Sequence, residues 1–200
     1  MGRRVTAIEI DEHRVRRLRR RLPGATIEHA DALTRALDHP VAVGNIPFHL
    51  TTPILRRLLG DGGWDDALLV TQWEVARRRA GVGGRTMLTA QTAPWFTFAL
   101  HGRIPARHFT PSPSVDGGLL EIRRRAAPLV SDRDRADYEH FVRSVFTGRG
   151  SGFACIVSTS SGLPRGQVRR LLARTRIPSG SLPRDLSAEQ WAALWAGIVR

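Results

Sequence analysis

The tetrapeptide "NIPF" (45–48) places an amide side chain and an aromatic ring on a short stretch of chain that has little freedom to move. Pro47 fixes its own φ, lacks an N–H and pushes Ile46 towards an extended conformation, so a stiff loop is expected here. The Asn45 side-chain oxygen and nearby backbone carbonyls can accept hydrogen bonds from an exocyclic amino group, while the Phe48 ring can stack on a base. Together these residue types suit a site for a nucleobase that carries an amino group.

A second stiff loop, "RHFTPSPSVDGG" (107–118), offers the ring of Phe109. Its prolines, serines and glycines resist regular structure. A base flipped between Phe48 and Phe109 would gain about 1–3 kcal/mol from each stacking contact, which offsets the few kcal/mol of leaving its own stack. Both phenylalanines could instead be core residues, but the flanking prolines favour the site. Hydrogen bonds from the amino group to Asn45 would favour a tetrahedral nitrogen whose lone pair faces an electrophile.

The carboxylates Glu9 and Asp31 end two of the apolar runs that alternate with helical patterns in the first part of the chain. Residues 11–22 have apolar positions at helical spacing, with a candidate N-cap at Asp11. This alternation predicts a parallel or mostly parallel sheet, whose ligands lie beyond the carboxyl ends of its strands. Either carboxylate could instead serve only to cap the helix that follows it. Strands are predicted here over residues 5–10, 25–31, 41–45 and 66–72.

The rest of the chain is predicted to complete the sheet and then to become helical. The texture changes near residue 128, which divides the chain into an α/β domain over 1–127 and a small helical domain over 128–200. Segment 147–166 is rich in glycine and serine and is predicted to be mobile. Further helices are predicted at 74–80, 86–93, 137–146, 165–177 and 187–199, and further strands at 95–100 and 117–125.

Two helix starts carry their own sequence signals. Thr52 and Pro53 fit the N-cap and the first residue of a helix that ends at Gly60. Ser187 and Gln190 form the pattern of a capping box before the last apolar segment.

Charge points to a polyanionic partner. The 200 residues include 31 basic and 18 acidic side chains, a formal net charge of +13. Such an excess favours nucleic acid over an acidic small molecule, although a merely solvated basic surface would have the same composition. Membrane binding is disfavoured because no basic stretch carries a clean apolar face with interfacial aromatic residues.

Cysteine usage and the absence of targeting patterns indicate the compartment. Cys155 is the one cysteine, there is no CxxC pair, and the seven histidines are scattered singly, so no metal site is predicted. The chain has no apolar run of about 18 residues and no signal peptide. A cytoplasmic protein is therefore predicted.

The chain resembles the rRNA adenine-N6 methyltransferases, and within them the erythromycin-resistance group that modifies large-subunit rRNA. The resemblance rests on "NIPF" and on an FxPxPxVD-like segment, supported by "VTAIEID", "ADAL", "TQWEVARR" and, more weakly, "YEHFVRSVFTGRG", in family order over nearly the whole chain. It implies an α/β, Rossmann-like S-adenosylmethionine-dependent methyltransferase sheet followed by a small all-helical RNA-binding domain. It also implies a monomer that methylates N6 of an adenine in 23S rRNA and gives macrolide, lincosamide and streptogramin B resistance.

The resemblance implies a role for each matching residue of the cofactor site. Glu9 would bind the ribose hydroxyls of S-adenosylmethionine, and Ile10 would pack on its adenine. Asp31 would accept a hydrogen bond from the amino group of that adenine, with Ala32 beside it.

It likewise implies the residues that hold the target base. Asn45, which also lies against the cofactor, and the Ile46 carbonyl would bind the target N6. Pro47 would keep this loop stiff, and Phe48 and Phe109 would enclose the base between their rings.

One departure from the family pattern bears on activity. The family places a strand and a glycine-rich GxGxG turn before "VTAIEID", and "GVGGR" (81–85) does not replace it because it follows a helix. The expected strand would lie between strands 5–10 and 41–45. The sequence read as it stands is expected to bind S-adenosylmethionine negligibly, whether it is a fragment, has a misplaced start or is a true truncation.

Two other functions stay open. One is a small-subunit (16S) rRNA dimethyladenosine transferase, and the other is an inactive rRNA-binding remnant. "NIPF" in place of NLPY, and the segment "GVGGRTMLTAQ" (81–91), favour the large-subunit enzyme.

Overall fold

The structure is a computed structural model that describes residues 4–60 and 62–199. Strands and helices alternate from β1 to β4 except between β2 and β3, which no described helix separates. The chain continues through two short helices and two long strands, and it ends in helices, as predicted. The strands are β1 Thr6–Glu9, β2 Thr26–His29, β3 Val41–Asn45, β4 Asp66–Gln72, β5 Phe96–Ile104 and β6 Gly117–Arg124. The helices are α1 Glu12–Arg21, α2 Thr51–Gly60, α3 Trp73–Arg79, α4 Met87–Thr92, α5 Arg135–Thr147, α6 Phe153–Ser161, α7 Arg165–Arg174 and α8 Ala188–Ile198.

The strands form two hydrogen-bonded sheets. One is the parallel pair β1–β2, and the other has the order β3-β4-β6-β5, in which β3 and β4 are parallel and β6 is antiparallel to both of its neighbours. Within the described residues β1 and β3 do not pair with each other. Side chains link the two sheets instead, since His39 Nε2 lies 2.7 Å from the Thr6 hydroxyl and Arg57 donates to the Thr34 carbonyl at 3.2 Å.

Helix α1 follows its sequence signals closely. The Asp11 carboxylate accepts from the N–H groups of His13 and Arg14, at 2.8 and 3.1 Å, and Val15 is buried. The capping box of α8 is also confirmed, because the Ser187 hydroxyl and the Gln190 side chain each accept from the other's backbone N–H.

The start of α2 differs from the prediction. A 3₁₀ turn over Phe48–Leu50 leads directly into the helix, which begins at Thr51, and the Thr51 hydroxyl donates to the Phe48 carbonyl at 3.1 Å. The loop therefore winds into the helix before Thr52 is reached. The assignment of Thr52 as N-cap is wrong, whereas the helix does end at Gly60.

Segment 147–166, which was predicted to be mobile and without regular structure, contains the nine-residue helix α6. Phe153 and Val157 are buried on one face of this helix. Gly162 ends the helix with φ 74°, in the left-handed region that glycine adopts without strain. The glycines and serines on either side hid this apolar spacing.

One hydrophobic core extends from the larger sheet into the helical region. Trp64 stacks on Phe96 with ring centroids 5.3 Å apart, and Tyr138 of α5 packs edge-on against Trp95 at 5.6 Å. The Tyr138 hydroxyl donates to the Ala90 carbonyl at 2.8 Å, and burial raises the pKa of this phenol above its ordinary value. The helical region is thus packed on the sheet, and the domain boundary near residue 128 stays a prediction.

Across the described ranges, no helix has the length and apolar character that crossing a bilayer would require.

Candidate active site

The "NIPF" loop leaves the sheet at the carboxyl end of β3. Asn45 pairs with Val70 of β4, and the ladder continues one residue further because Ile46 N–H donates to the Val70 carbonyl at 2.9 Å. Ile46 is buried, and the Pro47 carbonyl accepts from Leu50 at 2.8 Å to close the 3₁₀ turn. The Asn45 side chain is exposed and makes no hydrogen bond to any described residue. Its amide is therefore free to bind a ligand.

Phe48 and Phe109 face each other from two different loops. Their ring centroids are 6.5 Å apart, their planes meet at 73°, and both rings are half-buried. A base between two parallel rings needs two contacts of about 3.5 Å, so the separation is close to that of a stacking slot. The angle is not, because the rings form an edge-to-face pair. Insertion of a base requires one ring to rotate, and the enclosure of the base stays a prediction.

Asp116 holds both ends of the Phe109 loop and was missed in the sequence. Its carboxylate accepts from Ala106 N–H at 2.8 Å and from Arg103 Nε at 2.6 Å, while its backbone carbonyl accepts from Trp73 N–H at 2.8 Å. The Ala106 hydrogen bond, and then the Arg103 side chain, lower the pKa of this carboxyl group. Asp116 therefore ties the Phe109 loop to the start of α3.

Gly117 and Gly118 leave room for neighbours that a side chain would displace. A Cβ on Gly117 would lie 2.9 Å from Phe109 Cζ, and one on Gly118 would lie 2.7 Å from the Ala76 Cβ. The first glycine lets the Phe109 ring lie over the start of β6, and the second lets α3 pack closely on the sheet. Two glycines opening a strand were the available signal, since glycine in a strand often marks a close approach.

Glu9 and Ile10 lie at the carboxyl end of β1. One Glu9 carboxylate oxygen accepts from Asp11 N–H at 2.9 Å, and the other lies 3.9 Å from the Arg14 guanidinium. Glu9 supports the turn and does not cap α1, because Asp11 does so. Ile10 is 65% exposed, which is unusual for a large aliphatic side chain, and could pack against a ligand.

Asp31 lies two residues beyond the partner of Glu9 in the parallel ladder, since Glu9 pairs with His29. One Asp31 carboxylate oxygen accepts from Leu33 N–H at 2.8 Å, and the other has no partner among the described residues. Ala32 is exposed beside it. One Asp31 oxygen is therefore bonded within the local turn, and the other is available to accept a hydrogen bond from a ligand.

Residues 1–196 match the family description ribosomal RNA adenine dimethylase. The chain belongs to this family. One relative is the mycinamicin-resistance protein MyrB of Micromonospora griseorubida, 51% identical over 195 residues that cover 96% of this chain and 62% of MyrB. Another is the ribosomal RNA small subunit methyltransferase A of Cutibacterium acnes, 34% identical over 149 residues that cover 66% of this chain and 50% of that protein. The chain spans less than two thirds of the length of these curated relatives.

The crystal structure of the 23S rRNA methyltransferase ErmE is similar to this dimethylase-family chain over its whole length. The TM-score is 0.88 at 31% identity, covering 100% of this chain and 83% of that chain. The predicted family and the predicted Rossmann-like methyltransferase fold are both confirmed by these matches.

The described residues place the exposed Asn45 amide and the rings of Phe48 and Phe109 at one edge of the larger sheet. They place the carboxylates of Glu9 and Asp31 at or just beyond the carboxyl ends of the strands of the smaller sheet. In these same ranges no three His, Cys, Asp or Glu side chains lie close enough together to hold a metal ion. The residue roles implied by the resemblance stay predictions.

Proposed function

We propose that this chain is part of an enzyme that transfers methyl groups from S-adenosylmethionine to N6 of an adenine in 23S rRNA, giving macrolide, lincosamide and streptogramin B resistance. The observation that carries the proposal is the exposed Asn45 amide on a rigid loop whose Phe48 ring faces Phe109 at 6.5 Å, in a chain of the adenine dimethylase family. The similarity to the mycinamicin-resistance protein MyrB and to the 23S rRNA methyltransferase ErmE supports the same activity.

The residues of the loop would prepare the target nitrogen. The Asn45 oxygen and the Ile46 carbonyl accept hydrogen bonds from the two N6 hydrogens, which draws the nitrogen away from conjugation with the ring and aims its lone pair outward. Stacking of Phe48 and Phe109 on the target adenine would offset the few kcal/mol that flipping this base out of its own stack costs. The bound cofactor supplies an electrophilic methyl group, and the proton that the amino group loses passes to water.

The carboxylates fit the adenosine half of S-adenosylmethionine. Glu9 can accept from ribose hydroxyls, and the exposed Ile10 side chain can cover one face of the adenine. The free Asp31 oxygen can accept from the adenine amino group, with the small Ala32 leaving space beside it. The described residues thus offer the acceptors and the apolar surface that this half of the cofactor needs.

The basic excess suits ribosomal RNA as the partner. The net charge of +13 favours a polyanion, and phosphate contacts from many arginines would supply most of the affinity. We assign RNA binding in part to the helical region over 128–200, expect a monomer, and expect action in the cytoplasm, where ribosomal RNA is found.

Methyl transfer from tritiated S-adenosylmethionine to 23S rRNA tests the proposal. Two proteins are compared, the 200-residue chain and a chimaera in which a family strand and GxGxG turn precede Met1. We expect the chimaera to methylate 23S rRNA, and the chain alone measures how far activity depends on the added turn. Activity of the chain alone would keep the function and contradict the need for the glycine turn, whereas an inactive but folded chimaera would contradict the function.

The small-subunit enzyme is the second candidate, because the Cutibacterium acnes relative carries that name. Expression of the chimaera in a susceptible bacterium separates the two candidates. N6 methylation at the drug site adds bulk and removes a hydrogen-bond donor, so protection from macrolides is expected for the large-subunit enzyme. Resistance to a small-subunit drug alone would favour the second candidate.

A further inference from the structure

Arg79 is a buried cation that has no anionic partner among the residues the structure describes. Arg79 is 8% exposed, and one of its terminal nitrogens donates to the Thr86 hydroxyl. Its Nε has no hydrogen-bond acceptor among the described residues. No carboxylate among the described residues pairs with it. Burial, and then the nearby charge of Arg56, lower the pKa of Arg79 to about 10. Buried charges normally have a partner, so this one needs an explanation.

Arg56, whose charge acts on Arg79, lines an open cleft of about 390 Å³ between α2, α4 and α5. Arg56 and Arg143 line it, are exposed, and form no ion pair with described residues. Among the described residues of its lining, the one acidic side chain is Glu139, which is already paired with Arg135 at 3.0 Å. The surplus charge of the cleft is therefore positive.

The Arg135 side chain is fixed in this wall. It donates to the Leu59 carbonyl at 2.7 Å and its guanidinium lies 4.9 Å above the Trp95 ring. Gln91 donates to the Glu139 backbone carbonyl at 2.9 Å, which joins α4 to α5. The cleft therefore lies where the helical region packs against the sheet region. Its exposed cations come from both regions, Arg56 from α2 and Arg143 from α5.

We propose that this cleft binds a phosphate of the RNA backbone, with Arg56 and Arg143 in contact and Arg79 supplying charge from behind the wall. A phosphate oxyanion would supply the counter-charge that the described residues lack, and the guanidinium fork matches its oxygens. The second half of α2 lines the cleft, whereas Phe48 precedes the first turn of that helix. The cleft is therefore a separate contact that anchors the RNA away from the target base. This inference rests on the proposed function for the identity of the polyanion.

Salt dependence of RNA binding tests the contact. A fluorescein-labelled RNA hairpin is titrated with wild-type protein, R56A and R143A at several salt concentrations, and R133A, an exposed arginine outside the cleft, is the matched control. The slope of log K against log salt should fall by about 0.7–0.9 for each lost contact in R56A and R143A and should not change in R133A. Equal slopes for all three variants, or no RNA binding by the wild type, would overturn the proposal.

Arg79→Met separates a binding role from a structural one. If Arg79 serves a ligand, R79M keeps or raises the melting temperature and loses RNA affinity, while R79K retains part of that affinity. A lower melting temperature with unchanged affinity per folded molecule would assign Arg79 to structure and contradict its part in the proposal. If R79M does not fold, the two surface variants decide.

A second arm distinguishes RNA phosphate from free phosphate. Inorganic phosphate at a few millimolar should compete with the hairpin only weakly, because a backbone phosphate is held by its neighbours as well. Strong competition, reaching half displacement at that concentration, would identify a small-anion site and overturn the RNA assignment. Methylation of 23S rRNA by the chimaera is measured in parallel. If R56A and R143A keep the wild-type salt slope while the chimaera is active, the cleft proposal alone is rejected. If both variants reduce the salt slope while the chimaera is inactive, the proposed function alone is rejected.

Discussion

Gly117→Ala tests whether the position of the Phe109 ring controls activity. The added Cβ would lie 2.9 Å from Phe109 Cζ and 3.2 Å from its Cε2, closer than a Cβ normally approaches carbon. Gly117 is not in the left-handed region, so the alanine backbone is unstrained and the ring must move. If Phe109 provides one stacking contact of about 1–3 kcal/mol, its displacement should lower kcat/KM roughly 5- to 150-fold.

The assay is methyl transfer to 23S rRNA by the chimaera, with melting temperature as a check on folding. Gly102→Ala in β5 is the matched control, because its Cβ would meet nothing within 4 Å. In an F109A background, G117A should have no further effect, since the ring that it displaces is gone. Wild-type activity in G117A, or losses that multiply in the double variant, would refute the link between Gly117 and Phe109.

Three further predictions concern the same site. Asn45→Ala should abolish methylation while leaving RNA affinity nearly intact, and turnover within about threefold of wild type in the tritium assay would sink its assigned role. Phe48→Ala should weaken catalysis and Phe48→Tyr should be tolerated, because stacking needs only the ring; equal kcat/KM for both variants would contradict this. Asp116→Asn should lower the melting temperature at pH 7 and flatten the loss of stability on acidification. The pKa of Asp116 is lower in the folded protein than its ordinary value of 3.8. Its carboxylate therefore stabilises the fold above pH 3.8, and this stabilisation is lost as the pH falls through the lowered pKa. Melts of both proteins between pH 7 and 3 measure it.

Strands were the most predictable elements of this chain. The runs 41–45 and 66–72 match β3 and β4, because compact apolar runs bounded by polar residues are typical of strands in a parallel arrangement. Helix α6 within segment 147–166 was not predicted, because its apolar spacing is short and lies among glycines and serines. The helix depends on burying Phe153 against the rest of the core, which is tertiary information.

The candidate site was predictable in its residue types and less so in its geometry. Asn45, Phe48 and Phe109 carry signals in their own neighbours, because proline stiffens both loops. The edge-to-face angle of the rings and the anchoring by Asp116 depend on contacts between residues distant in sequence. The unpaired charge of Arg79 is of the same kind, since its helical position says nothing about a missing counter-ion.

Strand β4 relates the two aromatic loops to each other. The "NIPF" loop leaves β3 and the Phe109 loop returns into β6, and β4 lies between these strands. Adjacent strands are about 4.8 Å apart, so the backbones that carry the loops are roughly 9.6 Å apart, and the rings lean inward to 6.5 Å between centroids. The spacing of the two loops is therefore determined by strand pairing. A one-residue slip of β4 against either neighbour would turn its side chains to the opposite face and shift the two loops relative to each other.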